Sequence, residues 1–188
     1  MGRLIAYNFV SLNGYFKGPN GDISWAKSGS EEENEYAAEN LKSGSTLLFG
    51  RTTYEMMAAY WPTAEAIKNN RAVAEGMNKA DKIVFSTTLK DPAWNNTRVL
   101  RDNIAEQIKE LKQTPGKDMT ILGSGSIITQ FTDQDLIDEY QIMVHPVALN
   151  DGTPIFNGIR QNLHLKLTST KTFKSGVVLL CYQPKKNE

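Results

Sequence analysis

Glycines and serines alternate directly after a short apolar run, and these residue types in this order suit the binding of a phosphate. Residues 119–122 have the composition of a buried strand, and Gly123-Ser124-Gly125-Ser126 follow them. Ile127, Ile128 and Phe131 then have helical spacing, with Ser124 or Ser126 as a possible cap. A strand that turns through glycine into a helix presents free N–H groups and the positive end of the helix dipole. The pattern predicts an anion site, although a tight connection without a ligand is the plain alternative.

A second stretch has the same design. The apolar residues 46–49 lead into Gly50-Arg51-Thr52-Thr53-Tyr54-Glu55, in which Thr52 and Glu55 have the spacing of a capping box. The Arg51 guanidinium can donate two parallel hydrogen bonds to a phosphate, or it can simply face solvent. Together the two stretches predict two helix starts that converge on one negatively charged ligand.

The elements that would position these residues alternate along the chain. Strands are predicted at residues 3–10, 46–49, 82–87, 97–100, 119–122, 140–144, 163–173 and 177–182. Helices are predicted from Ser30, which has Glu33 at capping-box spacing, to Lys42, over 52–60 and 64–80, from the cap Asp102, and after Gly123. This order predicts a single α/β domain over 1–188: a mostly parallel central sheet of about eight strands, with helices on both faces and a C-terminal antiparallel hairpin. The glycine-rich loop 11–22 is predicted to act as a lid.

Composition excludes several functional classes. The 188 residues contain 21 basic and 21 acidic side chains without a long run of either sign, which argues against nucleic acid and polybasic membrane partners. Cys181 is the only cysteine and there are only two histidines, so no metal site is expected, and His145 is expected to be structural. No signal peptide or membrane span is apparent, which predicts a cytoplasmic protein.

The order of these motifs resembles the dihydrofolate reductase-like superfamily. Ile5-Ala6 on the first strand, a glycine-rich loop ending at Trp25, the motif from Gly50, Ser86-Thr87, and the motif after Leu122 occur in the family's order. The chain is most similar to stand-alone relatives of the riboflavin-biosynthesis reductase domain. The resemblance covers nearly the whole chain and implies NADPH as the cofactor, a small-molecule substrate and a homodimer. The Rossmann fingerprint G-x-G-x-x-G is absent after the first strand.

The resemblance also implies residue roles. Ile5 and Ala6 would border the nicotinamide, and Ser86 and Thr87 would lie at the phosphate of the adenosine ribose. The pyrophosphate and the 2′-phosphate would be held by Gly50, Arg51, Thr52 and Thr53, and the pyrophosphate also by Gly123, Ser124, Gly125 and Ser126. Asn13, Trp25 and Tyr54 are the candidate substrate contacts. Glu33, or water, is the candidate proton donor.

Departures from the family pattern leave the substrate open. Asn13 stands where relatives often have Asp, Ile128 replaces a tyrosine of folate reductases, and the spacing from Trp25 to Glu33 is altered. We therefore expect an NADPH-dependent reductase of a heterocyclic or sugar-like substrate rather than of folate. The alternatives are a nucleotide-binding protein without turnover and a true dihydrofolate reductase.

Overall fold

A computed structural model describes residues 1–26 and 30–185 of the chain. Its main sheet has eight strands in the order β5-β4-β3-β6-β1-β7-β10-β9. The strands, in chain order, are β1 (Leu4–Ser11), β2 (Tyr15–Lys17), β3 (Thr46–Gly50), β4 (Lys82–Phe85), β5 (Thr97–Leu100), β6 (Met119–Leu122), β7 (Glu139–His145), β8 (Thr153–Pro154), β9 (Leu165–Thr172) and β10 (Val178–Pro184). The first six strands of the sheet order are parallel, and β10 is antiparallel to both neighbours. The predicted sheet and its terminal hairpin are confirmed.

Helices cover both faces of this sheet, as predicted. They are α1 (Glu31–Lys42), α2 (Arg51–Tyr60), α3 (Ala64–Asn69), α4 (Arg71–Lys79), α5 (Ile104–Lys112) and α6 (Gly125–Thr132). Helices α5 and α6 pack on one face through Ile108, Ile128 and Phe131. Helices α1 and α4 pack on the other face through Ala38, Val73 and Met77. Because both faces are covered, the inner strands are nearly continuous apolar runs, which is the pattern that made them predictable.

The structure corrects several predicted boundaries. The helix predicted over 64–80 is two helices, because Asn70 leaves helical geometry and its side chain caps α4 at Val73 N–H. The predicted cap Asp102 is replaced by Asn103, which adopts φ of +46°. The loop 11–22 contains strand β2, which pairs antiparallel with β8. None of the helices within the described residues is long and apolar enough to cross a membrane.

A lysine lies inside the core at the start of β4. Lys82 is 1% exposed, and its ammonium donates to the carbonyl oxygens of Asn78, Ala80 and Asn95 at 3.2, 2.7 and 3.1 Å. The same ammonium lies 4.4 Å from the centre of the Trp94 ring. A buried charge is costly unless polar groups surround it, and here backbone carbonyls and an aromatic face fill that role.

Candidate functional site

One cavity of about 770 Å³ runs along the carboxyl ends of β3, β6 and β1 and continues beneath α1. Both motifs singled out in the sequence line it: Gly50, Arg51, Thr52 and Thr53 from the first, and Gly123, Ser124, Gly125 and Ser126 from the second. Since β3 and β6 are adjacent parallel strands, their carboxyl ends meet at one edge of the sheet. The two motifs therefore share one wall, and helices α2 and α6 both begin there.

A single hydroxyl joins the two motifs. Ser124 Oγ accepts a hydrogen bond from the Gly50 N–H at 2.7 Å and donates to Thr53 Oγ1 at 3.0 Å. The side chain is 8% exposed, and its backbone has φ of +63°. Ser124 occupies the cap position of α6 but makes no side-chain cap hydrogen bond there. Its hydroxyl instead fixes the distance between the two helix starts.

Glycines make this close approach possible. A Cβ atom at Gly50 would lie 3.2 Å from Ser124 Oγ, and one at Gly123 would lie 3.2 Å from Thr53 Cγ2. Gly123 also has φ of +61°, a conformation that costs little only for glycine. A side chain at either position would push the neighbouring Ser124 hydroxyl or Thr53 methyl group back by a few tenths of an ångström.

The N-cap residues of α2 and α6, Gly50 and Ser124, make no side-chain cap hydrogen bond. The first N–H groups of a helix have no acceptor within the helix, so an uncapped start offers them to a ligand. The capping box predicted at Thr52 and Glu55 is wrong, because Gly50 is the N-cap and Glu55 instead accepts from Arg51 Nε at 2.7 Å. The two helix starts thus combine features of an anion site: first-turn N–H groups at the cavity wall, the positive ends of two helix dipoles, and small residues.

Arg51 connects this wall to the loop after β4. Its guanidinium donates to Thr88 Oγ1 at 2.6 Å, and its side chain is half exposed beside the cavity. Ser86, one of the predicted contacts, is buried, and its Oγ accepts from the N–H groups of Thr88 and Leu89. Thr87 is exposed, but neither Ser86 nor Thr87 lines the cavity. The loop after β4 therefore contacts Arg51 through Thr88, a residue that was not predicted from the sequence.

The cavity continues over one face of β1. Ile5 and Tyr7 line it, whereas Ala6 points to the opposite face, as strand alternation requires, and is fully buried there. Of the two residues predicted to border the nicotinamide, only Ile5 reaches the cavity. Burial, with smaller contributions from Tyr36 and Glu33, raises the pKa of the Tyr7 phenol, so the phenol stays protonated at neutral pH.

Helix α1 covers an apolar chamber over this face. The chamber is lined by Ala37, Leu41, Leu47, Met57, Trp61 and Met77. At the amino ends of the strands the cavity meets Arg3, which binds Asp118 at 2.8 Å and Glu139 at 3.0 Å. Apolar walls with a few polar groups at the ends are typical of small-molecule sites.

Two of the predicted substrate contacts, Tyr54 and Asn13, make hydrogen bonds within the protein instead. Tyr54 is 2% exposed, does not line the cavity, and accepts a hydrogen bond from the Trp94 N–H at 3.0 Å, so it is not placed to contact a substrate there. Asn13 also lies outside the cavity lining. Its amide donates to Leu149 O at 2.8 Å and accepts from Leu149 N–H at 3.1 Å. An aspartate at this position could not make both bonds, because a carboxylate only accepts.

The third predicted contact, Trp25, lies at the cavity's edge rather than in its wall. Its neighbours Ile23 and Ala26 line the cavity, while its ring meets the imidazole of His145 edge to face, with centroids 5.6 Å apart. His145 is 3% exposed and is also in contact with Phe9. Burial lowers the pKa of His145, partly opposed by Glu33, so the imidazole is neutral at pH 7. This agrees with the structural role expected for His145.

Glu33, the predicted proton donor, lies in the first turn of α1. Its carboxylate accepts from the hydroxyls of Ser30 and Ser175, and its N–H donates to Ser30 Oγ, which confirms the predicted helix start. Glu33 does not line the cavity. The geometry thus gives no support to a direct role in proton transfer.

Phe16 also lines the cavity, although the sequence did not predict it as a site residue. This side chain on β2 lies against the start of α6, where a Cβ atom at Gly125 would lie 2.6 Å from Phe16 Cζ. The signal was hidden because β2 is three residues long and its partner β8 lies far along the chain.

We expect Ser124→Ala to separate the two helix starts. The variant leaves the partly buried Gly50 N–H without its acceptor, which should lower the free energy of unfolding by about 1–2 kcal/mol. Urea denaturation measures this loss. Ser126→Ala, at an exposed position two residues later, is the control and should change stability by less than about 0.5 kcal/mol. Equal stabilities for the two variants would contradict the bridging role of Ser124.

Comparison with known proteins places this geometry in a family. The sequence profile of the RibD C-terminal domain matches residues 3–179. The Bacillus subtilis protein YyaP is 33% identical over 180 residues, covering 96% of this chain and 94% of its own. The Bacillus subtilis protein YwjB is 26% identical over 179 residues, covering 94% of this chain and 95% of its own.

Solved structures show the same fold. A Shewanella sp. PV-4 protein assigned provisionally to riboflavin biosynthesis has a TM-score of 0.74 at 20% identity, with 98% of this chain and 99% of that one covered. A pyrimidine reductase-like protein from Corynebacterium diphtheriae has a TM-score of 0.67 at 14% identity, with 99% and 93% covered. The profile match and the overall likeness to YyaP show the family as well as the fold. The chain belongs to the RibD C-terminal domain family, a family of reductase domains with the dihydrofolate reductase-like fold.

Proposed function

We propose that this chain is an NADPH-dependent oxidoreductase that transfers a hydride to a small heterocyclic or sugar-like substrate. The observation that carries the proposal is the pair of uncapped helix starts, joined by Ser124, with Arg51 on the same wall. A dinucleotide with a pyrophosphate and a further phosphate matches two sets of N–H donors and one guanidinium. When bound, NADPH supplies the hydride, and the protein orients the reactants and excludes water.

The residues present fit such a cofactor. The helix starts would hold the pyrophosphate, Arg51 beside Thr88 would hold the 2′-phosphate, and Ile5 would border the nicotinamide ring. The apolar chamber beneath α1 adjoins Ile5 and would receive the substrate. Among the described residues, the only carboxylate lining the cavity is Asp118, which is paired with Arg3. We therefore propose water, rather than a carboxylate, as the source of the proton that completes the reduction.

The place of Asn13 favours a second candidate, a nucleotide-binding protein without turnover. Relatives often carry Asp at this position, and here the amide is committed to Leu149. A substrate-dependent loss of the absorbance of reduced nicotinamide from the protein–NADPH complex would exclude this candidate. Dihydrofolate belongs in the same assay, since its reduction would identify a true dihydrofolate reductase.

Isothermal titration with NADPH and NADH tests the cofactor. We expect NADPH to bind in the micromolar range or tighter and NADH to bind more weakly. Absence of binding by both would overturn the proposed function, whichever substrate is later found.

Arg51→Gln should weaken NADPH binding by about 10- to 100-fold and leave NADH binding within about twofold. The reason is that a charge-assisted hydrogen bond to a phosphate contributes about 1.5–3 kcal/mol, and NADH lacks the 2′-phosphate. Arg71→Gln is a matched control, because Arg71 pairs with Glu75 through the same atoms and distance as Arg51 with Glu55, but on α4. Equal losses for NADPH and NADH in Arg51→Gln would place the guanidinium elsewhere on the cofactor.

A further inference from the structure

One polar side chain stands in an apolar row of β1. Leu4, Ala6, Asn8 and Val10 point to the face covered by α5 and α6, and Asn8 is 3% exposed. An amide buried among apolar side chains costs free energy unless its donors and acceptor are paired. The position therefore calls for a partner.

The surroundings of Asn8 show where that partner would lie. The last residue pair between β1 and β6 is Tyr7 with Leu122, so Asn8 lies beside the turn that starts at Gly123. Beyond the end of β6 at Leu122 the cavity reaches both faces of β1. Asn8 lines it on the face of α6, together with Phe16 and Ile155 of one apolar cluster, whereas Ile5 lines it on the other face. The amide is thus at the junction of an apolar wall and the start of α6.

The Asn8 side chain has an atom without a partner. Its Oδ1 is buried, and no donor among the described residues reaches it. A helix start alone would be weak evidence of a ligand, but here an unpaired buried amide lies in the same cavity wall as the helix start.

We infer that Asn8 is the residue that binds the carboxamide of the cofactor's nicotinamide ring. An amide has one acceptor oxygen and two N–H donors, so two amides can pair with each other. The nicotinamide ring is flat and apolar except for its carboxamide, which matches a site made of Phe16, Ile155 and one amide. The phosphates, by contrast, match the N–H groups of α6 next to it. This inference rests on the proposed cofactor and adds to it the contact that distinguishes the nicotinamide end.

The test compares three ligands on the wild-type protein. They are NADP⁺, its 3-acetylpyridine analogue, which keeps the carbonyl but lacks the amide N–H groups, and 2′-phosphoadenosine diphosphate ribose, which lacks the ring. Because Asn8 Oδ1 would accept from the carboxamide N–H, we expect NADP⁺ to bind about tenfold more tightly than the acetylpyridine analogue.

The variant Asn8→Leu completes the test. It should bind NADP⁺ and the analogue equally and should bind the ringless ligand as the wild type does, within about twofold. Leucine has the same number of side-chain heavy atoms and the same branching as asparagine and suits the apolar row, and the wild-type comparison stands even if the variant folds poorly. Gln183→Leu, an exposed amide position on β10 outside the cavity, is the matched control and should keep the wild-type preference.

The outcomes separate this inference from the proposed function. If neither NADP⁺ nor the ringless ligand binds, the proposed cofactor is wrong and the inference falls with it. If both bind, but wild type does not distinguish NADP⁺ from the analogue, or Asn8→Leu keeps the distinction, the role of Asn8 is overturned and the cofactor proposal stands.

Discussion

Gly125→Val should weaken NADPH binding at least about a hundredfold while leaving the fold intact. Gly125 is the first residue of α6 and lines the cavity, so a branched side chain there would stand over the N–H groups proposed to hold the pyrophosphate. A hundredfold loss corresponds to about 2.7 kcal/mol of binding free energy. Its Cβ would also press on Phe16, which lies 2.6 Å from that position and would have to turn away.

The fold should tolerate the change because Gly125 has an ordinary helical φ, unlike Gly123. Isothermal titration gives the affinity, and thermal unfolding checks that the variant is folded. Gln130→Val introduces the same side chain on the exposed side of α6 and should bind NADPH like the wild type. Normal binding by Gly125→Val would show that no phosphate rests on the start of α6.

Lys82→Ala should lower the free energy of unfolding by about 3–5 kcal/mol at pH 7, the largest loss that we expect from one substitution. The variant leaves a cavity and removes the donor from three carbonyl oxygens at once. Lys82→Met, which refills most of the volume, should lose less. Urea denaturation measures both, and Lys79→Ala, on the exposed face of α4, should be close to neutral. A loss below about 1 kcal/mol for Lys82→Ala would show that the buried ammonium contributes little.

The same lysine predicts a pH dependence. Burial, partly opposed by Asp81, lowers the pKa of Lys82 to about 8, whereas a lysine in the unfolded chain titrates near about 10.4. Between these values the unfolded chain binds more protons than the folded one, so stability should rise with pH from 8 to 10. The buried Tyr140, whose pKa burial raises to about 12, acts in the opposite direction above pH 10. Lys82→Met should lack the rise between pH 8 and 10, and a rise that persists in this variant would assign it to another group.

Much of the sheet was predictable because burial on both faces makes its inner strands apolar without interruption. The two helix starts were predictable for the same local reason, since each follows such a strand through glycine. The roles of Thr52, Glu55 and Tyr54 could not be predicted, because each side chain had several possible hydrogen-bond partners. Glu55 pairs with Arg51 rather than with the helix start, and Tyr54 meets the N–H of Trp94, forty residues later.

The structure also differs from the sequence-based predictions at Ser124, Asn8 and Asn70. Ser124 was recognised as a possible cap, but its actual partners, Gly50 and Thr53, lie on another strand–helix junction. Asn8 was read as part of a buried strand, although an amide within an apolar row was a visible signal. Asn70 divides the helix predicted over 64–80 because its side chain can cap a new helix, which periodicity alone does not reveal.

The attachment of Asn13 to Leu149 has a consequence for how ligands enter. The same segment is held by the pairing of β2 with β8, and Leu12 N–H donates to Val147 O at 2.7 Å. The first half of the loop 11–22, which was predicted to act as a lid, is therefore hydrogen-bonded to residues 147–154. Any movement there would carry both stretches together as one flap.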